Sequence, residues 1–335
     1  MTDSPAPVPP PTILELPYHR LYRAQPTYRW WRPLVALVLT VIAFLGVQVV
    51  LGIGLFVVLI ATGALDLAAP PTVDELNALL LPDMVKPWTL LFGLGAIILT
   101  LPLVPLALRI AGIRPAGVRT NIIHSVLFRL RWGWLRTTLA ISAAIWVGVF
   151  VVQVAVGLAV GEQLGTFSTD PTIYLISLAI VVVLVPFQAA TEEYLYRGVL
   201  LQVIGSWVRW AIVGIAVSAA AFAFSHIYDA WGLVQVGLMG AGFAYVAIRT
   251  GGLEAGIAFH TVNNIGSFAL AGTGMFGPTG MTAETGGGIG VLWQLATVAI
   301  WVGAIEWFAR RRKIEKLSRI AVPSADPGML PPYGS

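Results

Sequence analysis

The run Ile173-Tyr-Leu-Ile-Ser-Leu-Ala-Ile-Val-Val-Val-Leu-Val185 leads without a charge into Pro186-Phe-Gln-Ala-Ala-Thr-Glu-Glu-Tyr-Leu-Tyr-Arg-Gly198. The first part is long and apolar enough to enter a bilayer, which takes about 20 mainly apolar residues to cross. The second part places Glu192, Glu193 and Arg197 inside that span. A second apolar run, 211–224, follows closely. Ionisable groups in such a setting are costly, so they face a protein interior or a water-filled cavity and mark function.

Working outward, seven further stretches qualify as spans, giving the set 34–62, 88–111, 134–160, 172–203, 208–227, 231–249, 252–272 and 289–309. The expected fold is all-α, a polytopic membrane helical bundle of about eight transmembrane helices. Composition agrees: 57% of residues are hydrophobic and only 11% are charged, with a mean hydropathy of +0.83. A soluble domain is about a quarter charged. The chain has no cysteine, which excludes disulfides, thiolate metal sites and cysteine nucleophiles. The net charge of +4 reads as basic loops on one side of a membrane rather than as a nucleic-acid surface.

With eight spans, nineteen of the twenty Lys and Arg residues fall on the side of the termini, leaving Lys86 opposite. The opposite loops carry Asp66, Asp74, Glu75, Asp83, Glu162, Asp170, Asp229 and Glu284. This asymmetry predicts cytoplasmic termini in a multi-pass protein of the plasma membrane. Residues 1–33 form a Pro-rich then basic N-terminal segment without a removable signal peptide. Residues 34–165 hold three accessory helices, 170–272 a functional core, 289–309 the last helix, and 310–335 a basic and Pro-rich tail expected to be disordered. The mixed stretch 118–133 suggests an interfacial helix.

Glu193 and Arg197 are four residues apart, so they meet on neighbouring helical turns and an ion pair is easy to form. Glu192 points about 100° away and has no local partner. It suits a general base or acid. The bland alternative is a purely structural ionic lock of all three residues.

Downstream, Phe222 and His226 share one helix face, and His260 and Asn264 share another. A lone histidine on an apolar face is usually a satisfied core residue. Here, however, the other two histidines, His19 and His124, lie outside the spans. Glu192, His226 and His260 could together bind a metal such as Zn2+ with one position open to water. The same three could instead orient a water directly, with Asn264 donating to a developing oxyanion. Helix rise leaves His226 too high relative to the other groups unless its helix is tilted or broken.

These motifs resemble the CPBP family, the CAAX-processing and bacteriocin-immunity group of intramembrane proteases. Glu192-Glu193-Tyr-Leu-Tyr-Arg197, Phe222-Ala-Phe-Ser-His226 and His260-Thr-Val-Asn-Asn264 stand in the family's order, with the Arg249-Thr-Gly-Gly-Leu253 lead-in. The resemblance covers about 170–270. It implies that Glu192 and His226 activate water and that His260 and Asn264 complete the site and stabilise the oxyanion. It further implies that Glu193 and Arg197 hold the first carboxylate in place. The implied activity is hydrolysis of a peptide bond in a membrane-associated protein or peptide, by a metallo- or glutamate-dependent route. The depth of His260, estimated from its place early in its helix, and the basic rim predict access from the cytoplasmic side. Glu254 departs from the family pattern, where an aromatic is usual, and reads as a solvated helix-end residue. A catalytically silent immunity or scaffold protein is the alternative. A transporter would more often show two related halves, and the His-Glu-x-x-His of zincin-type metalloproteases is missing.

Overall fold

The computed structural model describes residues 12–24, 28–66, 68–69, 71–113, 122–280 and 286–322. The first eleven residues, the tail from 323 and the beginning of the expected interfacial helix lie outside them.

Every expected span is a helix. The elements are α1 (Arg32–Ala61), the short α2 (Val73–Leu80), α3 (Pro87–Ile98), α4 (Leu103–Ile110) and α5 (Trp132–Ala159). Next come α6 (Pro171–Glu193), a π-helical segment (Tyr194–Leu200) and α7 (Leu201–Trp207), which together make one long span. Then follow α8 (Ala211–Phe224), α9 (Ala230–Thr250), α10 (Glu254–Ala271) and α11 (Gly287–Arg311). Six of these spans are long and apolar enough to cross a membrane, with α3 and α4 counted as one. α8 is shorter, at 14 residues. The outer surface confirms the solvent: Ile42, Val49, Val50 and Ile53 of α1 are each more than half exposed. That much contiguous apolar surface belongs against lipid.

Local chemistry sets the helix ends. Asp170 caps α6 by accepting from the N–H groups of Thr172 and Ile173 at 2.8 and 3.0 Å, ahead of Pro171 at the first helical position. Asp229 caps α9 through Gly232 N–H at 2.7 Å. Gly251, with φ of +70°, ends α9 in the left-handed conformation open to glycine.

Two expectations fail on the side of the termini. Residues 122–131 are turns rather than helix. They are tied to the α9–α10 corner by Val126 N–H to Gly251 O at 2.8 Å and Leu253 N–H to His124 O at 3.1 Å. The tail is also ordered over part of its length. β2 (Leu317–Val322) pairs antiparallel with β1 (Thr12–Pro17), Leu14 opposite Ile320. Between β1 and α1 a 3-10 turn (Tyr18–Ala24) packs on α7. Leu16, Tyr18, Leu21 and Tyr22 from this clasp join Ile123, Val126, Val203 and Leu253 in one buried apolar cluster. A second cluster surrounds Trp301, whose indole N–H donates to Ser142 Oγ at 3.1 Å, with Phe243 and Phe259 against it. The segment α6 to α10, which carries the motif residues, contributes to both clusters.

Candidate active site

The chain turns from α-helix to π-helix immediately after Glu193. Widened turns of this kind re-aim side chains and recur at functional sites. Arg197 lies in this segment and is fully buried. Its Nη1 donates to Glu193 Oε1 at 2.8 Å and its Nη2 to Gly240 O at 2.9 Å. Its guanidinium also sits over the Phe222 ring, 4.4 Å from the centroid. Gly240 and Gly256 lie against this pair. A Cβ at Gly240 would meet Arg197 Nη2 at 3.0 Å, and one at Gly256 would meet Glu193 Oε2 at 3.0 Å. A side chain at either position would push the ion pair aside by a few tenths of an ångström.

His260, 1% exposed, stands between the two glutamates. Its Nδ1 is 3.2 Å from Glu193 Oε1 and its Nε2 is 3.4 Å from Glu192 Oε2. A carboxylate paired with arginine accepts, so Nδ1 carries the proton and Nε2 faces Glu192. The ring is fixed further by stacking on Phe243 and by an edge contact with Phe222. Glu193 thus orients His260, a link beyond the pairing with Arg197 that spacing foretells.

His226 lies outside α8. The helix ends at Phe224, and His226 falls in the turn before α9. Its Nδ1 donates to the carbonyl of Phe222 at 2.7 Å, leaving Nε2 as the free ring nitrogen. The early end of α8 answers the height mismatch: the helix is broken before the histidine instead of carrying it upward.

Glu192, His226, His260 and Asn264 all line one cavity of about 720 Å³. Asn264 Nδ2 donates to Gln188 Oε1 at 3.2 Å, and its Oδ1 accepts from Asn263 at 3.3 Å. Gln188, buried and one turn ahead of Glu192 on α6, also lines the cavity. The motifs do not mention it, yet its i−4 spacing from Glu192 in an apolar helix was the available signal.

The donors suit a metal in one respect only. The Nδ1 atoms are held by a carboxylate and a carbonyl, the usual arrangement behind metal-bound histidines, while His226 Nε2 is open and His260 Nε2 faces Glu192. Among the described residues, however, no three His, Asp or Glu side chains are grouped closely enough to hold an ion. The pair Glu192–His260 is in place, and His226 enters the same cavity without closing a three-donor cluster.

Glu254 is not a solvated end residue. It is fully buried and takes both Arg131 Nε at 2.8 Å and Nη2 at 2.7 Å, as well as the Arg131 backbone N–H at 2.9 Å. Arg131 also donates to the carbonyls of Thr250 and Glu315 at 2.9 and 3.1 Å. The pair joins the start of α5, the α9–α10 corner and the chain after α11. The acid sits at the N-terminus of α10, where the helix dipole favours it.

Comparison with known proteins finds a family model over the segment that carries these residues. Residues 171–266 match the family model described as type II CAAX prenyl endopeptidase, Rce1-like. No curated protein and no solved structure matches the chain. The matched segment runs from the first residue of α6 through Asn264 and so holds every motif residue. Over this segment the chain is similar to the type II CAAX prenyl endopeptidases of the Rce1-like kind.

Proposed function

We propose that this protein hydrolyses a peptide bond in a membrane-associated protein or peptide, using a water activated by Glu192 and His226. The observation that supports it best is His260, held between an arginine-neutralised carboxylate and a second carboxylate that lines the cavity.

In this reading Glu192 takes a proton from the water as the oxygen attacks the carbonyl carbon. His226 Nε2 orients that water. The second N–H of the Asn264 amide, not used toward Gln188, donates to the oxyanion. The proton on Glu192 then passes to the departing amine, directly or through His260 Nε2, and the C–N bond breaks. Glu193 and Arg197 do not touch the substrate; they hold His260 in one tautomer and orientation. Expected effects are a loss of about 10²–10⁴-fold in turnover for Glu192→Ala, His226→Ala or His260→Ala. Asn264→Ala should lose about 10²–10³-fold. Wild-type turnover in all four folded variants would remove the assignment.

A second reading has Glu192, His226 and His260 bind Zn2+, and the two histidines held through Nδ1 favour it. A bound zinc would polarise the scissile carbonyl and activate water. Metal analysis of the purified protein decides: one zinc per chain, lost in His226→Ala and His260→Ala, supports this reading. No bound metal in an active preparation favours the metal-free one.

A further inference from the structure

The depth of His260 predicts access from the face that carries the termini, but the residues lining the cavity favour the other face. Besides Glu192, Tyr196 and His260, its lining includes Leu81, Tyr228 and Thr279. Those last three belong to the connections α2–α3, α8–α9 and α10–α11, all on the face opposite the termini. Among the described residues, none from the terminus-side connections lines it. On the terminus side, Tyr22, Ile123, Val126, Val199 and Leu253 belong to one buried apolar cluster. Tyr22 OH donates to Gly198 O at 3.0 Å, and Tyr18 OH donates to Ile123 O.

The length of α8 supplies a second, independent reason. Fourteen residues rise about 21 Å, short of a hydrocarbon core of about 30 Å. Its start is anchored at the terminus-side interface by Arg209 and the exposed Trp207 and Trp210, residues that favour that level of a bilayer. The shortfall therefore lies at the far end, and the turn 225–229 sits below the opposite membrane surface. Non-helical backbone at such depth is tolerated only where it is buried in protein or lines a water-filled cavity. Ser225, His226 and Tyr228 of this turn line the cavity.

We infer that the cavity is an aqueous funnel open to the face opposite the termini, and that the substrate enters from there. This rests on the protease reading above. The basic residues place the termini in the cytoplasm, so the substrate class is a membrane protein segment presented on the non-cytoplasmic side, not a cytoplasmic tail.

The cysteine-free chain permits a direct test. Single cysteines at Ser225 and Ser267 report the cavity, Asp66→Cys marks the opposite face and Arg319→Cys marks the terminus face. Each full-length variant is treated with a membrane-impermeant maleimide on intact cells and on inverted vesicles. The proposal expects Ser225→Cys and Ser267→Cys to label, at least tenfold faster, from whichever side labels Asp66→Cys. Labelling from the side of Arg319→Cys overturns it. So does no labelling from either side when the denatured protein does react. Labelling needs no turnover, so the two readings fail separately. Expected labelling in a chain that cleaves nothing removes only the protease reading, and cleavage with terminus-side labelling removes only the access route.

Discussion

Glu193 and His260, 67 residues apart in sequence, meet at 3.2 Å through Oε1 and Nδ1. The same carboxylate oxygen accepts from Arg197 at 2.8 Å. One atom thus joins the ion pair that stabilises α6 to the histidine that faces Glu192. Glu193→Gln leaves the Arg197 guanidinium without a counter-charge in a fully buried position. Removing one partner of such a pair costs about 3–5 kcal/mol. The variant should therefore melt well below wild type in detergent and lose turnover as well. An unchanged melting temperature would show that Arg197 is held by Gly240 O and the aromatic rings alone.

Glu192 behaves differently, because it contributes to no ion pair beyond its contact with His260. Glu192→Gln should keep the unfolding free energy within about 1 kcal/mol of wild type, because the amide is isosteric and breaks no arginine pair. Turnover should fall by at least about 10²-fold. A joint loss of stability and activity would move Glu192 into the structural lock.

Glu254→Gln removes the charge partner of Arg131 and unties three parts of the chain at the terminus face. A loss of about 3 kcal/mol is expected from an unpaired, largely buried charge. Denaturant titration at a temperature where the variant remains folded checks this. Activity of the folded fraction should remain, since neither residue lines the cavity.

Acid should loosen the terminus face. Burial lowers the pKa of both His19 and His124 below the ordinary value of 6.5, outweighing the attraction of His124 to Glu254. A group with a lowered folded pKa binds fewer protons folded than unfolded, so stability rises with pH in that window. The contribution is complete above about pH 6.5 and is lost as pH falls toward the folded values. Unfolding midpoints measured between pH 7.5 and 5 should drop, and His19→Gln with His124→Gln should flatten the slope.

Much of this was written in the sequence. Each apolar run became a helix, because a segment in lipid must satisfy its backbone internally. The ion pair of Glu193 and Arg197 followed from i,i+4 spacing. The terminal clasp did not, since the pairing of Glu15 with Arg319 across the two strands has no local signal. Nor did the contact of His260 with Glu193, which depends on how α10 packs on α6. Residues 122–131 hold helix-compatible residues, yet the carbonyl of Gly251 and the side chain of Glu254 capture their backbone instead. Glu254 looked solvent-facing because its partner, Arg131, lies 123 positions away. His226 shows the limit of hydropathy: the apolar run continues to Phe224, and the chain then turns where the cavity, not the bilayer, receives it.

The central claim is peptide-bond hydrolysis at Glu192. The most direct measurement compares new protein termini in membranes of cells making equal amounts of wild type or Glu192→Gln. The account predicts a defined set of termini present with wild type and absent with the variant, with their precursors accumulating. Identical profiles at equal levels of folded protein would contradict it.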